Sequence, residues 1–161
     1  MKKILILFLF TGMISLAGCQ YLQTSKPKEE NAQIANPFHD CKNMEEAEAL
    51  AGFDMKTPDN VPEYKKAVIQ AIKGELLQVY YAKGEEELLI RKGNGSDDIS
   101  GIYEEFDSEE QVSSNGKKIA LKSNGTKTYL ATWTKENYAY SIWCSEGMDK
   151  KEILNLVRQT W

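Results

Sequence analysis

The chain carries a single histidine, His39. That scarcity removes the arrangements that most often perform hydrolytic and metal chemistry. A zinc site draws on several His and Cys ligands, and here one His and three Cys are spread over 161 residues. No serine–histidine or cysteine–histidine couple can be built around a histidine at the edge of a polar segment. No glycine-rich loop runs into Lys-Ser or Lys-Thr, so nothing cradles a nucleotide phosphate. Positive charge is not in surplus: 20 Lys and Arg against 24 Asp and Glu give a net charge of -4. That balance argues against nucleic acid and against electrostatic attachment to anionic lipid. No apolar run reaches the roughly twenty residues of a spanning helix. The expectation is a non-catalytic protein with no cofactor, no metal and no nucleic-acid partner.

What is present begins at the N-terminus. Lys2 and Lys3 precede the apolar stretch Ile4 to Phe10, which Met13 to Ala17 extend past Thr11 and Gly12. Leu16-Ala17-Gly18-Cys19 closes it. A positive start, a short apolar core and small residues before a cut site make a secretory signal. A cysteine at the cut makes it a lipoprotein signal. Residues 1–18 are therefore expected to be removed, and Cys19 to carry the lipid that holds the chain on the outer face of the cell membrane. Two or three acyl chains anchor firmly, because each buried methylene adds about 0.8 kcal/mol. Residues 19–36 read as a flexible tether, too polar to offset the entropy of ordering. One extracytoplasmic domain is expected over residues 37–161.

Within that domain, Asn43 and Glu46 form a capping-box pattern before a short helix at about Met44 to Ala51, with Gly52 placed to end it. From Tyr64 onward, turn signals recur at Lys73-Gly74, Lys83-Gly84, Gly93-Asn94-Gly95, Asn115-Gly116 and Asn124-Gly125. Between them apolar and polar residues alternate. Leu77, Val79 and Tyr81 share one face, as do Ile119 with Leu121, and Tyr138, Tyr140, Ile142 with Cys144. Period two marks half-buried antiparallel strands. A last helix at about Lys150 to Thr160 follows Asp149, with Ile153, Leu156, Val157 and Trp161 as its apolar stripe. The fold class is α+β. It is a curved, meander-like antiparallel sheet of six or seven strands, with the C-terminal helix packed on one face and a short N-terminal helix.

Three groups of residues are candidates for a site. Cys41 and Cys144 could be bridged in an exported chain, or could be two reduced thiols packed as small apolar residues. Acidic residues crowd the segment from Asp97 to Glu110. Their spacing approaches a calcium loop but lacks its first Asp and its final bidentate Glu, so a solvated acidic segment is the simpler reading. The strands are rich in aromatics, most of which serve cross-strand packing. Tyr80 and Trp143 fall on the face that the helix does not cover, and they are the candidate binding aromatics.

Several stretches together carry a resemblance. They are the run Asn43 to Phe53, Pro58, Arg91-Lys92, Gly95 to Gly101, Ala131-Thr132-Trp133, and Tyr138 to Ile142 before a short last helix. This order and spacing resembles a family of small uncharacterised Gram-positive surface lipoproteins. That family is related to an extracellular domain of unknown function found on lipoproteins and on membrane-tethered anti-sigma-factor-like proteins. The resemblance implies an extracytoplasmic α+β domain without an established activity, and it transfers no site residues. The expected function is binding or sensing at the cell surface. The partner would be an envelope protein or a small ligand, and membrane contact would come through the lipid on Cys19. The alternative is a carrier that holds an apolar ligand or lipid between sheet and helix.

Overall fold

Turn chemistry divides most of the domain into hairpins. Asn115 and Gly116 both take positive φ, 51° and 74°, as the tight turns that suit a twisted hairpin require. The structure is a computed structural model that describes residues 36–161. The signal segment 1–18, Cys19 and the tether up to residue 35 lie outside the described residues. In chain order the elements are β1 (His39–Cys41), α1 (Met44–Ala51), β2 (Lys65–Ile72), β3 (Leu76–Lys83), β4 (Glu86–Asn94), β5 (Ser108–Ser114), β6 (Lys117–Asn124), β7 (Lys127–Lys135), β8 (Tyr138–Met148) and α2 (Lys150–Gln159). None of the described helices is long and apolar enough to cross a membrane.

The strands form one open antiparallel sheet in the order β1-β2-β3-β4-β8-β7-β6-β5. The sheet has eight strands rather than six or seven. The additional one is β1, whose three residues are too few to show alternation. The path is also not one continuous meander. Two meanders, β2 to β4 and β5 to β8, are fused by pairing of β4 with β8. β4 runs on through Gly93 to Asn94, so the turn signal there takes effect only at Gly95.

Both helices form where their caps place them. The Asn43 side chain accepts the Glu46 N–H at 2.9 Å, and Glu46 in turn accepts the Lys42 N–H at 2.9 Å. The Gly52 N–H donates to the Glu48 carbonyl at 2.8 Å and closes α1. At α2 the Asp149 N–H donates to the Glu152 carboxylate at 3.3 Å. Thr160 is extended, and its hydroxyl donates to the Leu156 carbonyl at 2.9 Å. Trp161 therefore lies beyond the helix and is half exposed, where the stripe reading had it buried. Its backbone instead pairs with Lys56 in both directions.

One face of the sheet packs against the helices. Leu77, Val79, Leu88, Ile90, Ile119, Leu121, Ala131 and Ile142 are excluded from solvent there. α2 contributes Ile153, Leu156 and Val157, and α1 contributes Ala47 and Ala51. Phe53, Met55 and Val61, from the α1–β2 connection, join the same core. Ile153→Ala should cost about 2–5 kcal/mol, the usual loss when a buried aliphatic side chain leaves a cavity. Urea unfolding checks this, with exposed Lys151→Ala expected to stay within about 0.5 kcal/mol of the parent.

Candidate functional site

Neither described helix packs on the sheet's other face, and its register lays the side chains out in rows. Val68, Tyr80, Leu89, Trp143 and Leu130 stand side by side across β2, β3, β4, β8 and β7. This row contains both Tyr80 and Trp143, two strands apart. Leu89 and Leu130 are almost fully buried although neither described helix covers them. The β4–β5 connection crosses this face. Because β5 is the far edge strand, this segment must travel from the middle of the sheet to its border. Ile99 packs within 3.4 Å of the position a Cβ on Gly93 would take, and Phe106 meets the Tyr129 ring at 6.2 Å. Trp143 is half-buried, and its indole Nε1 is enclosed with no hydrogen-bond partner among the described residues. The Val68 end of the row stays open. Val68 is 40% exposed. With Ala67, Gln70, Tyr80 and Ala82 it borders a shallow depression of about 400 Å³.

Beside the apolar row runs a polar one. Gln70 donates to the Asp40 carboxylate at 2.7 Å, and Gln78 donates to the Gln70 side-chain oxygen at 2.6 Å. Arg91 Nε donates to Gln78 Oε1 at 2.8 Å. Its Nη1 donates to the carbonyls of Ile99 at 3.0 Å and Ser100 at 2.6 Å. Arg91 thus pins the connection to the sheet. Burial pushes the guanidinium pKa down, but an arginine stays charged in any protein setting. Its partners are carbonyl oxygens of the chain itself. Gly101 makes the approach feasible, since a Cβ there would sit 2.6 Å from Arg91 Nη1 and its φ is +66°.

The helix-covered face holds a second constellation. Tyr140 lies opposite Lys92 on one side and Trp133 on the other. The Trp133 and Tyr140 rings stack at 5.1 Å with 6° between planes. Lys92 Nζ sits 4.3 Å from the Tyr138 ring, 5.4 Å from Phe53 and 5.5 Å from Tyr140. It donates to the Asp54 carbonyl at 2.6 Å. Lys117 Nζ lies 5.4 Å from the Trp133 ring and donates to the Val157 and Thr160 carbonyls at the end of α2. The aromatic faces and carbonyls hold two cations that would otherwise be costly to bury. Burial pushes the pKa of both lysines down.

The other sequence candidates are not brought together. Cys41 and Cys144 are free thiols on β1 and β8. Four strand spacings separate them, about 19 Å along the sheet, whereas a bridge needs α-carbons within about 7 Å. The packed-thiol reading describes them, and buried Cys144 rests 3.6 Å from the Tyr64 hydroxyl. His39 is exposed on β1. Two carboxylates of the acidic segment fasten backbone: Asp98 accepts the Ser100 N–H at 2.8 Å, and Asp107 accepts the Gly125 N–H at 3.2 Å. Among the described residues, no cluster of three or more His, Cys, Asp or Glu converges to hold a metal ion. Sequence reasoning missed Arg91, Lys92 and Lys117 as site-forming residues. The signal available was a lysine on the apolar side of each alternating strand.

The sequence model of a family described as a domain of unknown function, DUF4367, matches residues 52–159. No curated protein matches the chain, and no solved structure does.

Burial, with Glu136 and Tyr138 nearby, pushes Tyr140 up to about 12 from an ordinary 10.0. The folded state favours the neutral phenol. Its contribution to stability is therefore complete below pH 10.0 and is lost as pH rises through about 12. A tyrosinate absorbance titration of the folded protein should show a step near pH 12 that Tyr140→Phe removes.

Proposed function

From the premise that the chain belongs to the DUF4367 family of domains of unknown function, we propose a function on its own geometry. It is a lipid-anchored, extracytoplasmic and non-catalytic binding protein that contacts a cell-envelope protein through the open end of its helix-free face. The observation that carries this is the Val68–Tyr80 patch. Among the described residues only Val68, Tyr103 and Trp161 are large apolar side chains left exposed. Val68 alone of these stands beside a half-buried aromatic on a sheet face. Contact sites need apolar residues gathered together and not one exposed side chain, and here Ala67, Tyr80 and Ala82 join Val68 around one depression. The depression beside it is shallow, so it suits an inserted side chain of a partner better than an enclosed small molecule.

Strand addition is a poorer fit. The unpaired stretch of β2 presents Lys65 and Lys66, and a bulge at Ala67 interrupts its ladder. Both devices discourage edge pairing. The carrier reading needs room between sheet and helix, and Ile153, Leu156 and Val157 pack into the core there. The residues around the patch include no nucleophile paired with a base. The anchor rests on Leu16 to Cys19, and the tether would keep the patch within reach of the envelope.

The test uses the full-length chain in its native cells with a photo-cross-linking residue at Val68. A discrete adduct is expected, reduced several-fold by Tyr80→Ser and absent when the cross-linker sits at Lys151 on α2. Equal adducts from both positions, or none from Val68, would contradict the contact surface. Cys19→Ser should release the chain from the membrane fraction, and retention there would contradict the anchor.

A further inference from the structure

At the edge of the helix-covered face, Lys92 opens onto a cavity of about 460 Å³. Its walls include Phe53, Tyr138 and Trp161, and its rim includes Lys135 and Glu136. It is an open cleft, about as open as the depression beside Val68, so a ligand here would keep part of its surface in solvent and would be held by charge and by Trp161. Two properties define what it would hold. The first is charge balance: Lys92 and Asp54 line one space with the exposed pair Lys135 and Glu136, whose Nζ and Oε1 lie 3.8 Å apart and which a ligand's ammonium would join. A ligand with a single charge meets as much repulsion as attraction there, whereas a ligand bearing both charges can meet a partner for each. The second is hydrogen-bonding capacity at Lys92 Nζ, which the Phe53, Tyr138 and Tyr140 rings surround without supplying an oxygen acceptor. An ammonium has three donors, and one protein oxygen, the Asp54 carbonyl, accepts from Lys92 Nζ.

Trp161 supplies the apolar wall. The ladder of its backbone with Lys56, at 2.6 and 3.2 Å, fixes its position. Lys56 and Lys135 lie 5.5 and 6.0 Å from its ring, while half of the residue stays exposed. An aromatic group held in place yet open to solvent is suited to stacking a flat or apolar substituent.

We propose that this cavity binds a small zwitterion of the α-amino-acid type with an apolar or aromatic side group. Its carboxylate meets Lys92 Nζ, its ammonium meets Glu136, and its side group lies on Trp161. Burial that depresses the Lys92 pKa is offset when a carboxylate arrives. The site is independent of the contact patch, because Lys92 and Tyr80 project from opposite faces of the sheet.

Isothermal titration of the full-length protein in detergent tests this with L-phenylalanine as the probe. Saturable one-to-one binding is expected. Phenethylamine and 3-phenylpropanoate, each missing one charge, should bind about tenfold more weakly or worse. Glu136→Gln should weaken L-phenylalanine about tenfold and leave 3-phenylpropanoate unaffected. Lys92→Met should abolish binding. Because Lys92 is buried, Trp161→Ala serves as the second variant and should weaken binding while the fold persists. Val68→Ser should change nothing, which separates this site from the envelope contact. No saturable heat up to about 10 mM would overturn the proposal. So would equal binding of 3-phenylpropanoate and L-phenylalanine, or full binding by Trp161→Ala.

Discussion

Pairing of β4 with β8 fuses two meanders, and Arg91 answers the difficulty that this creates. The chain leaves β4 in the middle of the sheet and must reach β5 at its edge. The connection therefore has to cross a face, and it brings the polar backbone of Ile99 and Ser100 down onto the sheet, where Ser100 is buried. An unpaired buried carbonyl costs on the order of 1–3 kcal/mol. The Arg91 guanidinium satisfies two of them, at Ile99 and Ser100, and Gln78 holds the guanidinium in turn. Bonds to a charged donor contribute roughly 1.5–3 kcal/mol each, which exceeds the entropy of ordering the one or two residues that they fix.

Arg91 and Lys92 are neighbours on one strand, so they project to opposite faces. Arg91 fastens the connection on one side. Lys92 enters the aromatic cage on the other. Two consecutive cations thus organise the polar interior of both layers, and each is compensated differently, one by carbonyl oxygens and one chiefly by ring faces. The same division places the two open surfaces. The connection is pinned at Arg91 and Gly93, and among the described residues Val68 is left exposed. The aromatic cage ends at Trp161, where the cavity opens.

Local chemistry made much of this fold legible in the sequence. The caps at Asn43 and Asp149, the turn at Asn115-Gly116 and the alternation through Leu77, Val79 and Tyr81 each depend on residues close in the chain. What escaped depends on distant partners. β1 is a strand only because β2 pairs with it. Nothing local to Glu86 through Asn94 announces that β8, and not β5, lies beside it. Tyr80 and Trp143 could be assigned to one face from alternation, but the segment that crosses that face follows from strand order. Lys92 and Lys117 stand on the apolar side of their strands, but only the folded chain brings Tyr140 and Trp133 beside them.

The claim that Arg91 holds the crossing segment against the sheet is open to direct measurement by hydrogen exchange on the full-length protein and on Arg91→Met. With the clamp intact, the Ser100 and Ile102 amides, which donate to Asp98 Oδ1 and Ser100 Oγ, should exchange more slowly than the amides of exposed Ser96 and Asp97. In Arg91→Met the Ser100 and Ile102 amides should exchange at least about tenfold faster, while those of β3 hold their protection. Rapid exchange of these two amides in the parent protein, or unchanged exchange in the variant, would contradict the account.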